Sequence, residues 1–230
     1  MKLLLALALF LAPVSPGVVV KPVANMYSAP TEDADVVSQA IFGTDVTVLE
    51  EQGDWVKVRT PDDYTGWMAS ASFRRLGAGE QPYASSDRVA QVESLFANLY
   101  LDPDVTKHQP LLTVPFEAKL EVIEEAEDGR WLKVRLPDDR IAWAQRGDLT
   151  FDPQPFSIKE QIALSRRFLG LPYAWGGTST FGYDCSGFTQ MLMRRRGIVM
   201  PRDAMTVVQV CLSFRRTISV SRTAAEVFPQ

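Results

Sequence analysis

The chain repeats itself. "ANMYSAP" at 24–30 returns as "ANLYLDP" at 97–103, and "VTVLEEQGDWVKVRTPDDYTGW" at 46–67 returns as "LEVIEEAEDGRWLKVRLPDDRIAW" at 120–143. Between Trp55–Trp67 and Trp131–Trp143, eight of thirteen positions are identical. A duplicated unit this short must bury its apolar face within itself or against its copy, so the repeat sets the architecture of the first 150 residues.

Within each unit the pattern is β. Val46–Val48 and Trp55-Val56-Lys57-Val58-Arg59 alternate apolar and polar residues, as strands with one buried face do. Gln52-Gly53-Asp54 and Pro61-Asp62-Asp63 supply turn chemistry between them. Short strands at this spacing predict a small barrel per unit, closed so that no edge is left unpaired. The repeated tryptophans are expected to pack the core and its rim, because aromatics dominate the buried area of so small a domain. "GAGEQPYASSD" (77–87) has the composition of a linker.

The first seventeen residues, MKLLLALALFLAPVSPG, read as a secretory signal peptide: Lys2, an apolar run to Leu11, then small residues and prolines. The run is too short for a stable membrane span, which needs about 20 apolar residues. A net charge of −4 and an isoelectric point near 5.2 argue against nucleic-acid binding, which needs a basic face. The two cysteines, Cys185 and Cys211, allow a disulfide without implying one, and their spacing matches no dithiol motif. No ligand cluster suggests zinc.

After Pro155 the texture changes. "SIKEQIALSRRFLG" has Ile158, Ile162, Ala163, Phe168 and Leu169 at helical spacing, with Ser157 as N-cap and Gly170 as the stop. A second helix follows Asp184, its apolar face Phe188, Met191 and Leu192. Its end carries Arg194-Arg195-Arg196, read as a solvated terminus beside the negative end of the dipole.

At the start of that helix stands Asp184-Cys185-Ser186-Gly187. The thiolate is the nucleophile of cysteine chemistry. A cysteine in the first turn of a helix meets unpaired amide N–H groups and the positive dipole end, which favour the anion. The same amides suit an oxyanion. Asp184 is expected to cap the helix, Gly187 to admit a substrate backbone, and Gly176-Gly177 to shape the facing loop. A buried structural cysteine is the competing reading.

The wider stretch decides between them. Tyr-x-Trp-Gly-Gly (173–177), Asp-Cys-Ser-Gly (184–187) and Pro-Arg-Asp-Ala (201–204) closely resemble the start of the catalytic domain of the NlpC family of papain-like cysteine peptidases. The two repeats resemble bacterial SH3-like domains, which many exported cell-wall enzymes carry. The resemblance implies an all-β plus α+β chain: signal peptide 1–17, SH3-like domains at 18–76 and 86–150 joined by a linker at 77–85, and an incomplete papain-like domain at 156–204. It implies cleavage of peptidoglycan stem peptides between D-glutamate and a diamino acid such as diaminopimelate, outside the cytoplasm and without a cofactor. Cys185 would be the nucleophile and Tyr173 its neighbour. Asp184 and Ser186 would line the pocket for the free amine end of the stem peptide, and an SH3-like domain would wall the groove.

The resemblance fails after Ala204. The family's base is a histidine on a later strand, and nothing after Cys185 here is histidine. The single histidine, His108, lies in the turn-rich "DPDVTKHQP", where a solvated role is expected because a base must come within about 3 Å of the sulfur. Residues 205–230 match no family strand, which suggests a frameshift or truncation. The expectation is therefore an impaired peptidase, with a non-catalytic wall-binding protein as the alternative.

Overall fold

The computed structural model describes residues 15–203. The chain divides into two compact units, with the boundary at Pro153/Gln154. Among the described residues no helix is long and apolar enough to cross a membrane.

The first unit contains both repeats. One is built from β1 (Ser15–Val19), β2 (Val23–Tyr27), β3 (Val36–Ile41), β4 (Asp45–Gln52), β5 (Trp55–Arg59), β6 (Thr65–Ala69) and β7 (Phe73–Arg75). The other is built from β8 (Val89–Val92), β9 (Phe96–Tyr100), β10 (Leu112–Pro115), β11 (Lys119–Glu125), β12 (Trp131–Arg135), β13 (Ile141–Gln145) and β14 (Leu149–Phe151). The strand orders are the same, β3-β2-β6-β5-β4-β1-β7 and β10-β9-β13-β12-β11-β8-β14, and every pairing is antiparallel. The closed barrel expected from the sequence is not formed. The end strands β3 and β7, like β10 and β14, have no ladder to each other, so each sheet stays open. β1 also begins at Ser15, inside the span 1–17 read as a signal peptide.

The repeat is carried into local geometry. In both modules the register slips by one residue on the long hairpin, between Val48 and Glu50 and between Val122 and Glu124, a bulge that increases local twist. Asp63 and Asp139 both take positive φ, 61° and 64°, in the turn that follows. Aspartate tolerates that conformation better than most side chains, which accounts for the repeated Pro-Asp-Asp. Tyr27 meets Trp55 edge to face at 5.4 Å, and Tyr100 meets Trp131 likewise at 5.6 Å. Lys57 and Lys133 lie over Trp67 and Trp143, at 6.0 and 5.7 Å from the ring centroids. All four tryptophans thus have packing partners within their own module.

The modules are fused, not strung together. Val19, Met26, Val46, Val56, Val58 and Met68 form the core of the first. Phe42, from the loop after β3, is fully buried in the core of the second, with Leu99, Leu120, Leu132 and Val134. The compositional linker is itself structured. Tyr83 is buried with Val18 and Leu76, and its hydroxyl donates to the Arg135 carbonyl at 2.7 Å and accepts from the Glu121 N–H at 3.3 Å. Its own N–H donates to Asp45 at 3.1 Å, and Arg74 donates to the Pro137 carbonyl. Burial raises the Tyr83 phenol well above its ordinary value, against the opposing hydrogen bond from Glu121. The Glu121 carboxylate, nearly buried, pairs with Arg135.

Because Phe42 belongs to one module by sequence and to the other by burial, truncating it should weaken both. Phe42→Ala is expected to cost about 3–5 kcal/mol. Urea unfolding followed by tryptophan fluorescence should show one transition at a lower midpoint. Selective early loss of the first module would contradict the shared core.

Candidate active site

The second unit contains α1 (Ile158–Arg167), the short hairpin β15 (Thr178–Ser179) and β16 (Gly182–Tyr183), and α2 (Cys185–Arg194). Ser157 caps α1 as expected, in a reciprocal capping box with Glu160. Gly170, at φ +91°, lies in the turn that ends the helix. The buried face of α1 differs from the expected one. Leu164 and Phe168 face inward, whereas Ile158 and Ile162 are half or more exposed. Phe168, Tyr183 and Phe188 form a cluster of edge-to-face rings 5.7–5.9 Å apart, which joins the end of α1, the hairpin and α2. Arg195 is not solvated as expected. It is buried, with its guanidinium 4.4 Å from the centroid of Phe156.

The start of α2 is set by three contacts. Asp184 is the N-cap, and its Oδ1 accepts from the Gly187 N–H at 2.6 Å. The Asp184 N–H donates to the Gly177 carbonyl at 3.1 Å, tying the helix start to the loop before β15. That loop takes its shape from Gly176, at φ +72°, where a side chain would be strained. Gly187 has a role other than the one expected. A Cβ there would lie 2.2 Å from the Gly177 carbonyl oxygen, so the glycine admits the chain's own backbone.

The third contact is one the sequence reading did not assign. The Arg202 guanidinium reaches back from beyond α2 and donates to both Asp184 oxygens, Nη2 to Oδ2 at 2.7 Å and Nη1 to Oδ1 at 3.2 Å. Nη1 also donates to the Ser186 hydroxyl at 2.6 Å, and that hydroxyl donates to Asp184 Oδ1 at 3.1 Å. The pair is deeply placed, with side-chain exposures of 3% for Arg202 and 10% for Asp184. Burial alone would raise the Asp184 carboxyl; the Arg202 hydrogen bonds and charge, with Gly187 and Ser186, outweigh it and hold the group below the ordinary aspartate value. The signal was present in Pro-Arg-Asp-Ala, but nothing in a linear reading says that an arginine 18 positions away returns to the cap.

Cys185 is the first residue of α2, exposed, with a free thiol. The competing reading of a buried structural cysteine is thereby removed. Tyr173 is 65% exposed, and its backbone bridges Tyr183, two positions before Cys185. Asp184 is buried and Ser186 half-buried beside the sulfur-bearing residue. The structure therefore brings Tyr173, Asp184, Cys185 and Ser186 into one neighbourhood, with Asp184 engaged by the protein itself. His108 lies in the loop between β9 and β10 of the first unit, 56% exposed and 3.7 Å from the Asp102 carboxylate. Cys211 and the expected break after Ala204 fall outside the described residues.

Comparison with known proteins gives three family matches. The NlpC/P60 family model matches residues 170–225, the bacterial SH3 domain 22–73, and the GW (Gly-Tryp) dipeptide domain 81–150. The first continues past Ala204, where the sequence reading ends the resemblance. A crystal structure of an NlpC/P60 family protein from Bacillus cereus superposes with a TM-score of 0.72 at 28% identity, over 85% of this chain and 77% of that one. From residue 170 the chain carries the NlpC/P60 match, and as a whole it is similar to proteins of that family. It is 36% identical, over 73% of its length, to a gamma-D-glutamyl-L-lysine dipeptidyl-peptidase of Bacillus cereus. It is 29% identical, over 75% of its length, to the Bacillus subtilis protein of the same name. The chain spans 52% and 57% of the lengths of these two relatives.

The site predicts an acid limb. A carboxyl held below its unfolded value contributes stability that is fully present above about pH 4 and is lost as pH falls through the lower, folded value. Asp184→Asn keeps a competent cap, so its thermal midpoint should fall less steeply than that of the native chain between about pH 5 and 2. Equal slopes would contradict the pairing. Gly187→Ala should cost about 1–3 kcal/mol or more in urea unfolding, because the new Cβ meets backbone that must shift.

Proposed function

We propose that the chain is an exported cysteine endopeptidase of peptidoglycan stem peptides, acting at the cell wall on the bond between D-glutamate and a diamino acid such as diaminopimelate. The observation that carries this reading is an exposed Cys185 on the first turn of a capped helix, within the segment that matches the NlpC/P60 family. Two relatives named gamma-D-glutamyl-L-lysine dipeptidyl-peptidases support the substrate class.

The chemistry follows from the position of the sulfur. Sγ, as thiolate, attacks the carbonyl carbon of the scissile amide. The tetrahedral oxyanion is met by amide N–H groups at the start of α2, whose dipole favours negative charge. The C–N bond breaks, the amine leaves with a proton, and a thioester remains on Cys185. Water then releases the acid and restores the thiol. Tyr173, exposed beside this turn, lies next to the nucleophile; Asp184 and Ser186 line the pocket for the free amine end of the stem peptide, and Asp184 also holds the turn.

The leaving amine needs a proton donor and the thiol a base. The 230-residue chain holds one histidine, His108, in a solvated loop of the second SH3-like module. Without a positioned acid–base partner the chain should forfeit about 10²–10⁴ in rate. The same observation favours a second reading, a non-catalytic wall-binding protein acting through its SH3-like modules.

The test is a purified chain incubated with a stem tripeptide or tetrapeptide bearing a free amine end, with products read by mass spectrometry. Slow cleavage at the D-glutamyl bond, abolished by Cys185→Ser, supports the peptidase. Cleavage unaffected by that change overturns the assignment of the nucleophile. No cleavage, with undiminished retention of Cys185→Ser on isolated walls, supports the binding reading.

A further inference from the structure

The Asp184–Arg202 pair is more than a helix cap requires. Capping uses one acceptor, and an uncharged asparagine would serve as well. Here a carboxylate is used instead, and a buried arginine is brought 18 residues back along the chain to meet it. The return path is held in place. Gly197 turns the chain at φ +74° after α2, and Gln190 on the buried face of that helix donates to the Met200 carbonyl at 3.0 Å. Two positions later Arg202 spans Asp184 and Ser186, the residues on either side of Cys185.

We propose that Arg202 is a positioning residue for Cys185: it cancels the Asp184 charge beside the sulfur and fixes Ser186, leaving the helix N-terminus as the dominant field at Sγ. This rests on Cys185 being the nucleophile of the proposed peptidase. The physical argument is one of sign. A fixed negative charge next to a sulfur opposes formation of its anion, and a guanidinium bonded to both carboxylate oxygens offsets that charge. With the pair neutral as a whole, the amide dipoles of the first turn act on the sulfur without opposition. Arginine suits the task because its planar fork bonds both oxygens at once and keeps its charge when buried.

A residue that merely holds the fold would slow the sulfur whichever member of the pair is changed. A charge-balancing pair gives opposite signs. The measurement is the rate of Cys185 carbamidomethylation by iodoacetamide at pH 7, on the full chain, read from the Cys185 peptide by mass spectrometry. Arg202→Met should slow the reaction about tenfold, because the uncompensated carboxylate of the neighbouring residue opposes the thiolate. Asp184→Asn, which removes the carboxylate beside Cys185 and keeps the guanidinium, should speed it about threefold or more. The double variant should return to within about twofold of the native rate, and Arg202→Lys should stay close to it.

A uniform slowing of all variants, or a native rate in Arg202→Met, would overturn the proposal. If circular dichroism shows that Arg202→Met does not fold, Asp184→Asn decides alone: a faster rate supports the charge balance and an unchanged or slower rate overturns it. Stem-peptide turnover is scored separately. A chain that never cleaves stem peptides but shows the opposed rate changes would refute the peptidase while leaving the role of Arg202 standing.

Discussion

One carboxylate organises the second unit. Asp184 accepts from the Gly187 N–H, from Ser186 and from Arg202, while its own N–H is bonded to the Gly177 carbonyl. These bonds make the helix begin at Cys185 and not a residue earlier or later, and they lock the Gly176-Gly177 loop against its first turn. Cys185 is exposed at the polar end of this helix, whose other face is buried at Met191 and joins the aromatic cluster of Phe168, Tyr183 and Phe188 through Phe188. The exposure of Cys185 and the start of its helix come from the same set of contacts.

The first unit answers a different physical problem. A module of about sixty residues buries too little apolar surface to be comfortable alone. Duplication supplies a neighbour, and the neighbour shares its core through Phe42. Tyr83 then seals the junction by bonding both the Arg135 carbonyl and the Glu121 amide from within a stretch that, by composition, is only a spacer. The open edges that remain fall at the short β7 and β14, three residues each, and at β3 and β10.

Much of this was legible. The duplicated tryptophans and Pro-Asp-Asp turns disclosed two β modules, Ser157 and Asp184 disclosed the two helix starts, and Asp-Cys-Ser-Gly disclosed a cysteine in the first turn of the second helix. What escaped was long-range. The register slip on the long hairpins and the failure of the sheets to close depend on pairings that no local pattern encodes. Ile158 and Ile162 carry helical periodicity yet remain exposed, because periodicity shows that a face is apolar without showing what covers it. Arg195 reads as a solvated terminus but buries its guanidinium over Phe156, since an arginine can pack as a flat surface. Arg202 escaped for the same reason: its partner is fixed by the fold of the return segment.

The NlpC/P60 match at residues 170–225 and an exposed cysteine on a capped helix start underlie the proposal that the folded turn makes the Cys185 sulfur a better nucleophile than it is in the open chain. The most direct test is the rate at which iodoacetamide modifies Cys185 at neutral pH in the native chain and in the chain unfolded by urea, with the Cys211 peptide followed separately. The account predicts faster modification of Cys185 in the folded chain. Slower modification in the folded chain than in the unfolded one would contradict it.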